Sequence, residues 1–131
     1  MIAYHKSKIA VVDDDVRILE SIQNLLESAG HSVCPFSSAQ SLLEDGILPD
    51  IDCLIADIGM PFINGFELHR LARDARPDLP IIFITARPEA ATQKRAAAQG
   101  HQGFFRKPFD GPALLTAVEQ ALLASSQGQF K

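Results

Sequence analysis

The chain has 131 residues, a formal net charge of -4, 47% hydrophobic and 21% charged residues. That is one soluble domain, long enough to bury a core, without the strongly basic footprint of a nucleic-acid-binding surface. No apolar run, Ile81 to Ile84 included, approaches the roughly 20 residues that span a bilayer, and the basic residues before Ile9 lack the apolar stretch of a signal peptide. The expected compartment is the cytoplasm, with no membrane partner. Cys34 and Cys53 sit in strand-like segments and are predicted as two buried free thiols.

In chain order, Ile9 to Val12 is a β-rich run that ends at Asp13-Asp14-Asp15. Val16, Leu19, Ile22, Leu25, Leu26 and Ala29 recur at helical spacing, and Gly30 ends that helix. Ser32 to Phe36 is a short second strand, placed at a sheet edge by Pro35. Ser37-Ser38 offers an N-cap to a short helix through Leu42 and Leu43, with loop signals at Asp45-Gly46 and Pro49-Asp50. Cys53 to Ala56 is continuously apolar, as a central parallel strand is, and ends at Asp57.

Asn64 with Glu67 resembles a capping box, followed by Leu68, Leu71, Ala72 and Ala75 on one predicted helical face. Ile81 to Ile84 is the fourth strand, ending at Thr85. Pro88 suits the first turn of the next helix, which Gly100 closes. Gly103 to Arg106 is the fifth strand, ending at Lys107-Pro108. Asp110 can cap a last helix containing Leu114, Leu115, Val118, Ala121 and Leu122, and the polar residues from Ser125 onward are predicted to fray.

Strands that alternate with helices predict an α/β fold: a doubly wound, five-stranded parallel sheet of (βα)5 type with helices on both faces. One domain is expected over 1–131, with an ordered core of about 8–124. In such sheets ligands bind beyond the carboxyl ends of the strands. The residues there are Asp13 to Asp15, Asp57, Thr85 and Lys107. Converging carboxylates repel one another unless a cation joins them, and hard oxygen ligands suit Mg2+. A carboxylate, a hard metal ion, a lysine and a hydroxyl make a phosphoryl-acceptor site, because an aspartate can attack phosphorus.

Four motifs occur in order on this pattern: Val11-Val12-Asp13-Asp14-Asp15; Asp57-Ile58-Gly59-Met60-Pro61 with Asn64-Gly65; Phe83-Ile84-Thr85-Ala86; and Lys107-Pro108-Phe109. With them the chain resembles, over nearly its whole length, the receiver domain of two-component response regulators, most closely the FixJ-type branch. The resemblance implies a flavodoxin-like, CheY-like fold with strand order 2-1-3-4-5. It implies that Asp57 is phosphorylated, that Asp14 binds Mg2+ directly and Asp13 mainly through water, and that Asp57 and the Gly59 backbone carbonyl complete the protein ligands. Lys107 would pair with the phosphoryl group, the Lys107-Pro108 bond would be cis, Thr85 would swing its hydroxyl to the phosphoryl, and Phe104 would be the aromatic switch, working by packing alone. The resemblance also implies that Gly59 and Arg87, two residues after Asp57 and Thr85, would tune access of water. The implied partners are a sensor histidine kinase or a phosphotransfer protein, and a second copy of the chain on phosphorylation; this chain itself would bind no nucleic acid.

Each feature also has a plainer reading. Asp13 to Asp15 can be a solvated helix start, with Asp15 as the cap. Thr85 can be a helix cap, Lys107-Pro108 an ordinary turn, and Phe104, Phe105 and Phe109 core. The four scattered histidines show no metal-ligand spacing and are surface or packing residues. Two other functions compete. A receiver that only binds partners is disfavoured by the intact site residues. A metal-dependent phosphatase would want Asp-x-Asp at the nucleophile, where this chain has Asp57-Ile58-Gly59.

Overall fold

A computed structural model describes residues 7–86 and 89–128, with side chains described as far as 124. Five strands, β1 (Lys8–Val12), β2 (Ser32–Phe36), β3 (Cys53–Asp57), β4 (Ile81–Thr85) and β5 (Gly103–Arg106), form one parallel sheet in the order β2-β1-β3-β4-β5. The helices between and after them are α1 (Val16–Ser28), α2 (Ala39–Asp45), α3 (Gly65–Ala75), α4 (Ala90–Gln99) and α5 (Gly111–Gly128). This is the predicted doubly wound fold and strand order.

Strand side chains alternate between faces, so apolar residues on both parities need cover on both sides. Ile9, Val11, Ile55, Ile82 and Ile84 pack with Leu19, Ile22 and Leu26 of α1 and Leu114 and Val118 of α5. Ala10, Val12, Leu54, Ala56 and Phe83 pack with Leu42 of α2, Phe66, Leu68 and Ala72 of α3, and Ala96 of α4. The three central strands are buried along almost their full length. Pro35 lies on β2, an edge strand, where its missing N–H disturbs no second neighbour.

Local signals fix the helix ends. Asp15 caps α1 by accepting the Arg17 N–H at 2.9 Å, and Ser38 caps α2 by accepting the Ser41 N–H at 3.1 Å. The capping box on α3 has both arms: Asn64 accepts the Glu67 N–H at 2.9 Å, and the Glu67 carboxylate accepts the Asn64 N–H at 3.2 Å. A 3-10 turn over Leu48–Asp50 occupies the predicted loop at Pro49-Asp50. On α4 the cap position is Glu89; the predicted place of Pro88 lies outside the described residues.

Three expectations change. Val16 does not join the buried stripe of α1 and is 58% exposed. On α3, Leu71 and Ala75 face outward, because the buried row runs through Gly65, Leu68, His69 and Ala72, one step round the helix from the predicted one. Cys34 is only half-buried, being on the edge strand, whereas Cys53 is buried; both are free. They flank β1, two strand spacings or about 10 Å apart, beyond disulfide reach. The last helix, α5, runs to Gly128.

His69 takes its inward place by becoming a polar core residue. Its Nδ1 accepts from Gln99 Nε2 at 3.1 Å, and its ring meets the Phe83 ring edge-on at 5.5 Å between centroids. Burial, then the charges of Arg73 and His101, pull its pKa down from 6.5 to about 4. As pH falls below 6.5 the unfolded chain takes up a proton that the folded chain refuses. The stability this group contributes is therefore present above pH 6.5 and is lost as pH falls to about 4. Urea unfolding across that window should show His69→Gln losing about 2 kcal/mol less than wild type. An unchanged pH slope would contradict the assignment.

Candidate functional site

Parallel pairing in register sets the ends of β1, β3 and β4 side by side, and the next residues carry the chemistry. Asp13 follows Val12, and its N–H donates to the Phe36 carbonyl at 3.1 Å, extending the strand by one step. Its carboxylate is fully buried. Oδ1 accepts the Asp15 N–H at 2.8 Å, and Oδ2 lies 2.6 Å from Lys107 Nζ. Asp14 points to solvent, and Asp15 is the helix cap. Of the aspartate triplet, then, one residue is buried against Lys107, one is exposed at the site, and one caps α1.

Asp57 ends β3 and is 4% exposed. Its Oδ1 accepts the Gly59 N–H at 3.1 Å, and its Oδ2 lies 3.3 Å from Lys107 Nζ. Burial, then the neighbouring Asp13 charge, push its pKa up; the Gly59 N–H and Lys107 pull the other way without cancelling them. Lys107 follows β5. Its N–H donates to the Thr85 carbonyl at 2.8 Å and the Lys107-Pro108 peptide is cis. Burial alone would lower its ammonium, but the bond to Asp13 and the charges of Asp57 and Asp13 raise it on balance, so it stays a cation.

Oxygen atoms of Asp13, Asp14 and Asp57 all lie within 4.8 Å of one another. Asp14 and Asp57 open into a cleft of about 640 Å³, lined also by Gly59, Thr85, Lys107 and Pro108, with Asp13 buried behind it. Three close carboxylates and one lysine leave negative charge in excess, and the all-oxygen donor set suits a hard divalent cation. Thr85 is buried at the end of β4. Phe104 stands apart: it is half-buried on β5, opposite Phe83, and packs on the face covered by α2, α3 and α4. Arg87, expected to influence access of water, lies outside the described residues.

Two features are absent from the sequence reading. One is the direct Asp13–Lys107 pair, which no local pattern announces. The other is the close packing of Gly65 on the acceptor strand. A Cβ there would fall 2.7 Å from the Asp57 carbonyl oxygen and 2.9 Å from Ile58 Cα, so only glycine lets α3 start this close to the strand end.

The response regulator receiver domain model matches residues 9–119. The chain belongs to the response regulator receiver domain family. Among curated relatives of this receiver, the response regulator protein TodT of Pseudomonas putida is 36% identical over 121 residues, which cover 92% of this chain and 53% of TodT. The transcriptional regulatory protein FixJ of Azorhizobium caulinodans is 33% identical over 119 residues, covering 91% of this chain and 56% of FixJ. The chain thus spans about half the length of these curated relatives. Among solved structures, a CheY-like receiver domain protein from Methanospirillum hungatei superposes with a TM-score of 0.86 at 25% identity, over 95% of this chain and 99% of that one. The receiver is a signalling domain of two-component systems, as its sequence motifs imply. Among the described residues, no helix is long and apolar enough to cross a membrane.

The raised Asp57 carboxyl has a direct consequence. For a carboxyl held above its ordinary range, stability is lost as pH rises from the ordinary carboxylate value through the raised folded one, and above that the ionised group opposes folding in full. At pH 7 without divalent cations, Asp57→Asn should therefore raise the unfolding temperature, Lys107 remaining paired with Asp13. Calorimetry or circular dichroism checks this; an equal or lower unfolding temperature would contradict it.

Proposed function

We propose that Asp57 is the phosphoacceptor of this receiver and that Asp13, Asp14, Asp57 and the Gly59 carbonyl hold Mg2+ beside it. The observation that carries this reading is the convergence of three carboxylates and Lys107 at the carboxyl edge of the sheet, where Asp14, Asp57 and Lys107 line one cleft. The Gly59 N–H fixes Oδ1 of Asp57. An oxygen of that carboxylate forms the new bond to phosphorus while the donor's P–N bond breaks; the electron pair leaves on the donor imidazole, which takes a proton from solvent. When bound, Mg2+ would neutralise charge on the transferring group. Lys107, held near Asp57 Oδ2, supplies fixed positive charge at the same place. The added phosphoryl charge would draw Lys107 and the Thr85 hydroxyl towards it.

Phosphorylation then acts as a population shift, stabilising the state in which Thr85 and Phe104 have repacked. Phe104 has no phenolic hydroxyl, so its part is played by packing against the Phe83 and His101 side of the sheet. The donor would be a sensor histidine kinase or a phosphotransfer protein in the cytoplasm, and self-association on phosphorylation is the expected output step. Water attack on the same phosphorus would return the domain to its resting state, an activity confined to its own aspartate.

Incubation with acetyl phosphate and Mg2+ should add one phosphoryl group to the intact chain, read by mass. Chelation of Mg2+ or Asp57→Asn should abolish it, and Lys107→Ala should slow it by on the order of 100-fold. Full labelling of Asp57→Asn would overturn the proposal. Mg2+ alone should raise the unfolding temperature of the wild type, because a ligand of the folded state stabilises it. Asp14→Asn should lose most of that rise; an undiminished rise would remove Asp14 from the ligand set.

A further inference from the structure

Phe62 lies in the loop between β3 and α3, five residues after Asp57. Its φ is 66°, in the left-handed region, and its side chain is 98% exposed. Each is unfavourable for phenylalanine. Left-handed backbone crowds a Cβ against the following carbonyl, and glycine or asparagine fills such a position with less strain. A ring left in water gains nothing from burial.

Neither the turn nor the core accounts for the ring. On one side of Phe62, Met60 is buried; on the other, Ile63 packs against the hydrophobic cluster under α2, α3 and α4. The loop's base is pinned by the Gly65 N–H on the Ile58 carbonyl at 3.3 Å and by the Asn64 cap. The chain therefore raises Phe62 from an anchored loop at the edge of the sheet that bears Asp57. Val16, also exposed, is the first residue of α1, two residues after Asp14 and just past the loop from the adjacent strand.

We propose that Phe62, supported by Val16, is the docking anchor for the protein that delivers the phosphoryl group. The proposal rests on Asp57 being the phosphoacceptor. Transfer requires the donor's phosphorus within roughly 3–3.5 Å of the Asp57 oxygen. Asp57 is almost wholly buried at the floor of its cleft, so a donor histidine held on a protein reaches it only when that protein closes over the rim. Among the described residues, Phe62 and Val16 are the exposed large apolar side chains next to that rim in the chain, and docking would bury them. An exposed aromatic on an anchored loop is the kind of group that concentrates binding energy in an interface. The excess carboxylate charge of the cleft favours a donor surface with basic residues around its histidine. Acetyl phosphate enters the cleft without covering the rim, and that difference makes the anchor testable.

Phe62→Asn and Phe62→Gly suit the left-handed backbone and should fold with an equal or higher unfolding temperature. Phe62→Tyr keeps the ring. The donor is the autophosphorylated histidine kinase, among those of the same genome, that labels the wild-type chain fastest. Transfer from it should fall about tenfold or more in kcat/KM for the Asn and Gly variants, mainly through KM, and Phe62→Tyr should recover most of the rate. Labelling by acetyl phosphate should be the same in all four proteins. Equal transfer to wild type and Phe62→Asn would overturn the proposal. So would a matching fall with acetyl phosphate, which would mean a disturbed Asp57, or a loss confined to self-association, which would assign the anchor to a second copy of the chain. Labelling of wild type by acetyl phosphate but by none of the kinases would also overturn it. Failure of acetyl phosphate itself would instead strike the phosphoacceptor reading.

Discussion

The Lys107 ammonium, 2.6 Å from Asp13 and 3.3 Å from Asp57, is the interaction on which the site depends. A carboxylate as deeply buried as Asp13 is tolerable only with a cation and further hydrogen bonds, and Lys107 and the Asp15 N–H supply them. One lysine does not balance the cluster, however. Asp57 remains opposed by burial and by Asp13, and Asp14 adds a third carboxylate from the solvent side. The resting domain is thus left with an electrostatic deficit that a divalent cation would relieve, in a place where phosphoryl chemistry needs a cation.

The sheet makes that arrangement affordable. Asp13, Asp57, Thr85 and Lys107 come from four separate stretches of chain, yet each lies at or just past the carboxyl end of a strand. Because the strands are parallel and in register, those ends share one edge. Two apolar layers, one under α1 and α5 and one under α2, α3 and α4, hold the strands still. Gly65 then lets α3 begin against the backbone of Asp57 and Ile58, and the Lys107 N–H ties β5 to the Thr85 carbonyl. Phe104 is on β5 three residues before Lys107, so a change at the cleft has a short covalent route to the packed face below.

Much of this was legible in the residues. Strand runs such as Cys53 to Ala56 announce themselves by continuous apolarity, and caps at Asp15, Ser38 and Asn64 by short polar signals whose hydrogen bonds are local. The site could be assembled because its members mark strand ends. Less legible was anything decided by packing across the fold. Helical spacing alone gave α3 a stripe through Leu71, whereas contact with Phe83 and Gln99 turned His69 inward. Val16 fits the stripe of α1 by spacing, but it stands at the first turn, beyond the cover of the sheet. The Asp13–Lys107 pair and the left-handed Phe62 have no local sequence signature at all.

Locating the phosphoryl group on the chain tests the central claim most directly. After labelling with acetyl phosphate and Mg2+, borohydride reduction converts a phosphorylated aspartate to homoserine and marks the carboxyl that carried it. Trypsin then separates residues 9–17, which hold Asp13 to Asp15, from residues 18–70, which hold Asp57. The account predicts the mark in the longer peptide, at Asp57 on fragmentation. A mark on Asp13 or Asp14 would contradict it, since those carboxylates would then be acceptors rather than the metal's ligands and Lys107's partner.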